Sequence, residues 1–345
     1  MYLSEIKPVY LAKEKRRGKG VSPIMIGNPE GGTTSSGLSI VVPVYNSQLS
    51  LEPLCRRLMA VLGETAQAYE IILVNDGSAD DSWRVIQALT DSYKQVKGIQ
   101  LMRNYGQHNA LLCGIRAARK EFIITLDDDL QNPPEEIPRL IQKIQEGFDV
   151  VYGSPKRTRQ GLWRNVPAYL VKLSLQSMMG ARTARQVSSF RIFKTRLREA
   201  FSHYQSSFVS IDVLLTWGTR KFGAVTVHHN PREIGQSNYS LYRLISHSLN
   251  MVTGFSILPL QLATFVGFFF TLFGLGVLVY VIGRYFIYGG SVPGFPFLAS
   301  LIAIFAGAQL FSLGIIGEYI ARMHFRVMNK PPYSLAESIN FGENK

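Results

Sequence analysis

Three consecutive aspartates, Asp127, Asp128 and Asp129, follow the apolar run FIITL and precede the sequence LQNPP. Carboxylates at the end of a buried strand are costly unless a positive charge lies beside them. Because alternate side chains of an extended segment point to the same side, Asp127 and Asp129 are expected to act together. Two such carboxylates suit a divalent cation, Mg²⁺ or Mn²⁺, whose other ligands are substrate phosphates. The triplet therefore predicts phosphate chemistry at a strand end.

A second group of residues is basic and contains no acidic side chain. Between Lys156 and Arg198 there are eleven Lys or Arg residues and no Asp or Glu, in a chain whose net charge is +13. A solvated surface normally mixes both signs, so this block predicts an anionic partner. No recognised nucleic-acid-binding module or pattern of stacking aromatic residues accompanies it. We therefore exclude nucleic acid and expect diphosphate, lipid phosphate or anionic headgroups.

Strands and helices alternate along the segment that must position these side chains. The strands, each with its exit turn, are predicted in 38–48, 70–82, 98–104, 122–134 and 148–155, and the helices in 51–68, 83–95, 109–121 and 135–147. This alternation predicts an α/β fold with a mainly parallel sheet and helices on both faces. Ligands of such sheets bind beyond the carboxyl ends of strands, where Asn46, Asp76 and the aspartate triplet lie.

Two long segments without Asp, Glu, Lys or Arg follow Arg243; they contain 40 and 33 residues and are separated by Arg284. A bilayer core requires about 20 apolar residues in a helix, so membrane spans are predicted near 261–283 and 297–317. A pair of buried core helices is the alternative, but soluble helices rarely run this long without charge. The short connection makes the spans a hairpin with both ends on one side. The basic residues that follow the second span favour the cytoplasmic side of the plasma (inner) membrane.

The ordered motifs VVPVYN, VNDGSADDS, RNYGQHNALLCGI, LDDDLQNPPEEI, SSFRIF and GQSNYS, followed by two spans, resemble family 2 glycosyltransferases. The resemblance is to the polyprenyl-phosphate glycosyltransferases within that family and covers about 38–333. It implies a GT-A fold, which is Rossmann-like with a mainly parallel sheet, a nucleotide-sugar donor, a divalent cation and a polyprenyl-phosphate acceptor. Relatives of this kind also imply a homo-oligomer, a tetramer.

The resemblance and the spans together predict five segments. They are a flexible basic N-terminal tail (1–37), the GT-A catalytic domain (38–235), juxtamembrane amphipathic helices (236–258), two transmembrane helices (259–320) and a cytoplasmic C-terminal tail (321–345).

Site residues are implied where this sequence matches the family motifs. Those expected to contact the nucleotide sugar are Pro43, Tyr45, Asn46, Asp76, Asp127, Asp128 and Gln131. Asp129 is the implied metal ligand, and Asp127, Asp129 and Arg191 are the implied catalytic residues. Those expected near the acceptor phosphate or lipid are Arg157, Arg159, Ser189, Arg191, Arg232, Ser237, Tyr239 and Arg243. The sequence departs from the family pattern at Asp128, which is usually Ala, and at Asn238, which replaces a lysine.

The implied reaction transfers a sugar from a nucleotide sugar, with UDP favoured, to undecaprenyl phosphate for cell-envelope glycan or lipid modification. A phosphate monoester has a second pKa near 6, so this acceptor needs no general base, and direct displacement inverts the anomeric carbon. One alternative is a GDP-mannose-dependent dolichyl- or polyprenyl-phosphate mannose synthase. Another is a non-catalytic nucleotide-sugar-binding membrane scaffold. A processive polysaccharide synthase would have more spans and a QxxRW motif, and a transporter would have a polar pore face.

Overall fold

Eight strands form one sheet in the computed structural model, which describes residues 35–66, 68–155, 186–206, 208–230, 258–288, 294–328 and 330–341. The strands are β1 (Ser35–Val44), β2 (Tyr69–Asn75), β3 (Val96–Leu101), β4 (Lys120–Thr125), β5 (Val150–Pro155), β6 (Arg191–Lys194), β7 (Phe222–Val227) and β8 (Leu335–Ile339). Their order is β7-β5-β6-β4-β1-β2-β3-β8. Antiparallel pairing is confined to β6 with both its neighbours and to β8 with β3. The predicted mainly parallel sheet is confirmed.

Within the described ranges, five α-helices cover the two faces of this sheet. They are α1 (Leu51–Thr65), α2 (Ser82–Ser92), α3 (Gln107–Ala117), α4 (Ile137–Ile144) and α5 (Ile211–Gly218). The apolar side chains of α1, α2 and α4 pack on one face, and those of α3 and α5 pack on the other. Because both faces are covered, Ile40, Val41 and Val42 are all fully buried, which explains why the strands read as continuous apolar runs.

The close approach of α3 to the sheet depends on a glycine. A β-carbon at Gly114 would lie 2.4 Å from a methyl of Val41 and 3.0 Å from one of Val74. The missing side chain therefore lets α3 lie directly on β1 and β2. This contact sets the position of the start of α3, which belongs to the candidate site.

Two long helices follow the α/β domain, α6 (Leu258–Tyr288) and α7 (Phe295–Val327). They pack on each other where Phe305 of α7 meets Gly274 and Phe270 of α6. By length and composition both are candidate membrane spans, at Pro259–Ile287 and Ile304–His324. Their large apolar side chains are exposed, unlike those of a soluble core. The second helix continues past the predicted span end at 317.

The C-terminal segment joins the sheet, a feature that the predicted tail at 321–345 did not include. Strand β8 pairs antiparallel with β3. The Nδ2 of Asn340 donates hydrogen bonds to the carbonyl oxygens of Thr90, at 2.8 Å, and Val96, at 3.0 Å. The amide of Met102 donates to the carbonyl of Ser334 at 3.0 Å. The chain therefore returns from α7 to the edge of the sheet, where β8 lies beside β3.

Replacing Asn340 with alanine is expected to destabilise the α/β domain by about 1–2 kcal/mol, because two backbone carbonyls lose their donor. Asn340 also adopts a positive φ of 66°, which disfavours alanine. Glu337→Ala, at an exposed position of β8, is the control and is expected to cost less than about 0.5 kcal/mol. The measurement is thermal unfolding of the full chain in detergent. Equal midpoints for the two variants would show that the return segment does not stabilise the sheet.

Candidate active site

The carboxyl ends of β1, β2 and β4 lie side by side because β1 pairs in parallel with both β2 and β4. The loop after β1 is fastened to the loop after β2. The side-chain Oδ1 of Asn46 accepts a hydrogen bond from the backbone amide of Ala79 at 2.8 Å, and the backbone amide of Asn46 donates one to Ser78 Oγ at 2.9 Å. Asn46 has a positive φ of 54°, which asparagine tolerates better than most residues. Its side chain thus shapes the predicted nucleotide loop.

Asp76 lies at the end of β2 and is buried. Its two carboxylate oxygens accept hydrogen bonds from the amides of Tyr105 and Gly106, each at 2.7 Å. Burial raises the pKa of Asp76 despite these bonds and the nearby Arg103 guanidinium. In this structure the carboxylate holds the loop that precedes α3, and its contact with the nucleotide stays a prediction.

The Asp127 carboxylate joins three segments of the chain. Its Oδ1 accepts from Gln107 Nε2, at the start of α3, at 2.6 Å. Its Oδ2 accepts from the Ser189 hydroxyl, just before β6, at 2.5 Å. Ser189, predicted near the acceptor phosphate, therefore lies against Asp127. Gln107 is a site residue that the sequence analysis missed, although it stands in the motif NYGQH.

Asp128 faces the loop after β1. Its Oδ2 accepts from the amide of Tyr45 at 3.3 Å, and its carboxylate also accepts from the Ser47 hydroxyl. Burial and, to a smaller extent, the charges of Asp127 and Asp129 raise the pKa of Asp128, while the two hydrogen bonds lower it, and the net result is a pKa of about 6. Asp128 therefore anchors the Tyr45 loop to the aspartate turn. The Tyr45 side chain is half-exposed beside it.

Asp129 ends the turn, and its Oδ1 accepts from the amide of Gln131 at 3.2 Å. The chain reverses at Leu130, which has a positive φ of 59° and a buried side chain. Across the described ranges, no three His, Cys, Asp or Glu side chains converge as a ready-made metal cage. Asp127 and Asp129 instead offer hard oxygen donors on one turn. This donor set fits a divalent ion that takes its other ligands from a diphosphate.

Arg191, predicted to be catalytic and to lie near the acceptor phosphate, has its side chain inside the domain. It is 1% exposed, and its Nη1 forms an ion pair with Asp212 of α5. Its Nε donates to Thr125 Oγ1 at 2.9 Å, and the Tyr152 hydroxyl donates to Asp212 Oδ1 at 3.0 Å. In this structure the guanidinium is hydrogen-bonded inside the domain, and its contact with phosphate stays a prediction. A charge in the apolar run SIDVLL was the only sequence signal for Asp212.

The segment that leaves β7 lies against the loop after the aspartates. The amide of Asn230 donates to the carbonyl of Gln131 at 2.8 Å. His229 Nδ1 lies 3.3 Å from Asn132 Oδ1. These contacts bring the segment after β7 to the edge of the site. Pro43 is buried within β1, where it is in register with Val74.

The remaining predicted acceptor residues lie outside the described residues. They are Arg157, Arg159, Arg232, Ser237, Tyr239 and Arg243. Their roles stay predictions.

A family model described as glycosyl transferase family 2 matches residues 39–205. The chain is 38% identical over 301 residues to an undecaprenyl-phosphate 4-deoxy-4-formamido-L-arabinose transferase of Yersinia pestis (strain Pestoides F). The match covers 86% of this chain and 91% of that protein. The chain belongs to glycosyl transferase family 2. A transferase of the same name from Yersinia pseudotuberculosis (serotype O:3, strain YPIII) matches with the same identity and coverage.

Two solved structures show a more distant likeness to this family 2 glycosyltransferase. Glucosyl-3-phosphoglycerate synthase from Mycobacterium tuberculosis, in complex with Mn²⁺, UDP and phosphoglyceric acid, is 17% identical, with a TM-score of 0.45. That match covers 64% of this chain and 77% of the synthase. S. aureus TarS 1–349 with UDP is 19% identical with a TM-score of 0.41, over 55% of this chain and 60% of that one.

Membership of the family confirms three predictions. This family 2 glycosyltransferase is an enzyme of the polyprenyl-phosphate glycosyltransferase group, as its motifs indicated. It has a GT-A catalytic domain built on a mixed sheet. Two candidate transmembrane helices follow that domain.

Proposed function

We propose that this enzyme transfers a sugar from a UDP-linked donor to polyprenyl phosphate, with undecaprenyl phosphate as the acceptor. The observation that carries the proposal is the meeting of the Asp127–Asp129 turn with the loops after β1 and β2 at one edge of the sheet. The relatives named above, which are undecaprenyl-phosphate sugar transferases, support the acceptor. The product is a polyprenyl-phosphate sugar for cell-envelope modification.

Asp127 and Asp129 would hold the divalent cation, Mg²⁺ or Mn²⁺, together with the donor diphosphate. When bound, the cation acts as a Lewis acid that stabilises the diphosphate leaving group. Gln107 and Ser189 orient the Asp127 carboxylate, and Asp128 orients the loop of Tyr45. The chain therefore supplies a donor site whose oxygen atoms are positioned before the substrate arrives.

The acceptor phosphate is its own nucleophile in this proposal. A phosphate monoester is mostly a dianion near neutral pH, so no side chain has to remove a proton. This fits the residue at position 189 of the SSFRIF motif, which is a serine and not a carboxylate that could act as a base. The Ser189 hydroxyl donates a hydrogen bond to Asp127. Direct attack on the anomeric carbon inverts its configuration. The basic residues between Lys156 and Arg185 and those of the juxtamembrane segment would attract the acceptor phosphate.

The hairpin supports one orientation in the membrane. Helix α6 starts beyond the catalytic domain, and the chain returns from α7 to the sheet through β8. The guanidinium carbon of Arg322, near the end of α7, also lies 4.8 Å from the ring centre of Phe208 in the catalytic domain. Both helix ends therefore belong on the side of that domain. We place this side in the cytoplasm, because Arg322, Arg326 and Lys330 lie in the last turns of α7 and just after it, and nucleotide sugars are cytoplasmic donors.

A cysteine introduced at Ser291, between the two helices, is expected to react with a membrane-impermeant maleimide added to intact cells whose outer envelope is permeabilised. Ser338→Cys, on β8, is the matched variant and is expected to react only after the plasma membrane is opened. Burial raises the pKa of Cys55 and Cys113 to about 12, so the native thiols add little labelling. If only Ser338→Cys is labelled in intact cells, the orientation is the reverse of the one proposed.

The donor and acceptor are tested with the purified full-length enzyme and a panel of radiolabelled UDP-sugars and GDP-sugars. Each donor is supplied with Mn²⁺ or Mg²⁺ and undecaprenyl phosphate. We expect radioactivity to enter the organic phase with a UDP-sugar and to depend on both the cation and the lipid. Transfer from GDP-mannose alone would favour a mannose synthase instead. Transfer without a divalent cation would overturn the assignment of Asp127 and Asp129.

A further inference from the structure

We propose that the buried Arg191–Asp212 ion pair is a positioning device that aims the Asp127 carboxylate through Thr125 and Ser189. The proposal rests on the function proposed above, because it assigns Asp127 to the donor site. None of the four supporting residues needs to touch substrate. They act by holding the one carboxylate that meets the start of α3 and the segment before β6.

The first step is the ion pair itself. Arg191 is 1% exposed and Asp212 is 7% exposed, so each charge is taken out of water and depends on its partner. The Tyr152 hydroxyl donates a second hydrogen bond to Asp212, at 3.0 Å from Oδ1. Because three buried groups satisfy one another, the guanidinium has little freedom to turn.

The second step passes from the ion pair to the end of β4. Arg191 Nε donates to Thr125 Oγ1 at 2.9 Å, in a pair of strands where the two residues are in register. Because Thr125 Oγ1 accepts a hydrogen bond from Arg191, the Thr125 hydroxyl hydrogen points away from the guanidinium. The hydroxyl donates a hydrogen bond to the carbonyl oxygen of Ser189 at 2.6 Å. The Arg191 side chain therefore sets the direction of the Thr125 hydroxyl.

The third step reaches the site. With its carbonyl held by Thr125, Ser189 donates its hydroxyl to Asp127 Oδ2 at 2.5 Å. Asp127 is itself two residues beyond Thr125, so the covalent chain and the hydrogen bonds close a ring. This ring restrains the orientation of the Asp127 carboxylate. A charge-assisted hydrogen bond of this kind is stronger than a neutral one.

The test replaces the Thr125 hydroxyl without changing the shape of the side chain, by Thr125→Val. Thr195→Val is the matched control, because Thr195 is also buried, follows the other end of β6 and donates to the carbonyl of Lys120 at 2.6 Å. We expect Thr125→Val to lower kcat about 10-fold, with KM for undecaprenyl phosphate within about twofold of wild type. Thr195→Val is expected to stay within about twofold in kcat.

UDP binding to the full-length enzyme, measured by calorimetry, gives a readout that does not require transfer. Thr125→Val is expected to weaken UDP binding about 10-fold when Mn²⁺ is present and by less than about twofold when it is absent. The proposal is overturned by equal losses in the two threonine variants, or by wild-type behaviour of Thr125→Val. If the wild-type enzyme transfers no sugar, but Thr125→Val still weakens UDP binding only when Mn²⁺ is present, the proposed function is contradicted and the positioning device is supported.

A double-mutant cycle separates the positioning device from general destabilisation. If Thr125 acts through Ser189, then Ser189→Ala should lower kcat less in the Thr125→Val background than in the wild type. Independent losses that multiply in the double variant would overturn the connection between these two residues.

Discussion

Asp129→Ala is expected to lower kcat/KM for sugar transfer about 1,000-fold, the largest effect of any single substitution proposed for this enzyme. Asp129 closes the turn that follows β4, where its Oδ1 accepts from the amide of Gln131. Its carboxylate is the proposed ligand of the cation that stabilises the diphosphate leaving group. Alanine at this position removes the ligand and leaves the apolar side chains of β4 unchanged.

The control for Asp129→Ala is Asp91→Ala, at an exposed position in the last turn of α2, which is expected to leave kcat/KM unchanged. A titration with Mn²⁺ distinguishes loss of a ligand from loss of the fold. A ligand variant should need more Mn²⁺ for its residual activity while keeping the thermal midpoint of the wild type. Full activity of Asp129→Ala at ordinary Mn²⁺ concentration would remove Asp129 from the cation site.

Glu70→Ala is expected to destabilise the catalytic domain by about 3–5 kcal/mol, because it leaves Lys97 largely buried without its partner. The Glu70 carboxylate accepts hydrogen bonds from Lys97 Nζ at 2.5 Å, Ser39 Oγ at 2.6 Å and the amide of Arg119 at 2.6 Å. It joins β1, β2 and β3 at the end of the sheet opposite to the site. Thermal unfolding of the full chain in detergent measures the loss.

The exposed pair of Glu52 and Arg56 provides the control for Glu70, since Glu52→Ala is expected to cost less than about 0.5 kcal/mol. Burial alone would raise the pKa of Glu70, but its three hydrogen bonds and the charge of Lys97 lower it below the ordinary value of 4.5. A lowered folded-state pKa stabilises the fold above the unfolded-state pKa. The difference in thermal midpoint between wild type and Glu70→Ala should therefore shrink as the pH falls below 4.5. A constant difference from pH 7 to pH 3 would contradict this assignment.

The sequence predicted the parallel part of the sheet well because its strands are buried on both faces. Runs such as Ile71–Val74 are continuous and apolar, and each is followed by a helix of regular spacing. Strand β8 could not be predicted in this way. Its sequence LAESI has exposed side chains, and its pairing with β3 joins residues more than 230 positions apart.

The sequence also located the carboxylates of the site but not the residues that hold them. Asp127, Asp128 and Asp129 stand together in the chain, whereas the partners of Asp127 come from α3 and from the segment before β6. Arg191 was predicted to contact phosphate because it lies in the SSFRIF motif. Its partner Asp212, 21 residues further on, has no motif of its own and was not predicted. Long-range ion pairs of this kind become visible only when the strands and helices are assembled.

The proposed function is tested most directly by the mass of the lipid product. Purified enzyme is incubated with Mn²⁺, undecaprenyl phosphate and a panel of UDP-sugars, and the extracted lipid is examined by mass spectrometry. We expect one UDP-sugar to yield undecaprenyl phosphate that is heavier by a single glycosyl residue, with equimolar UDP released and no product from Asp129→Ala. Undecaprenyl phosphate of unchanged mass with every nucleotide sugar, or a product in which the lipid carries a diphosphate, would contradict the proposed reaction.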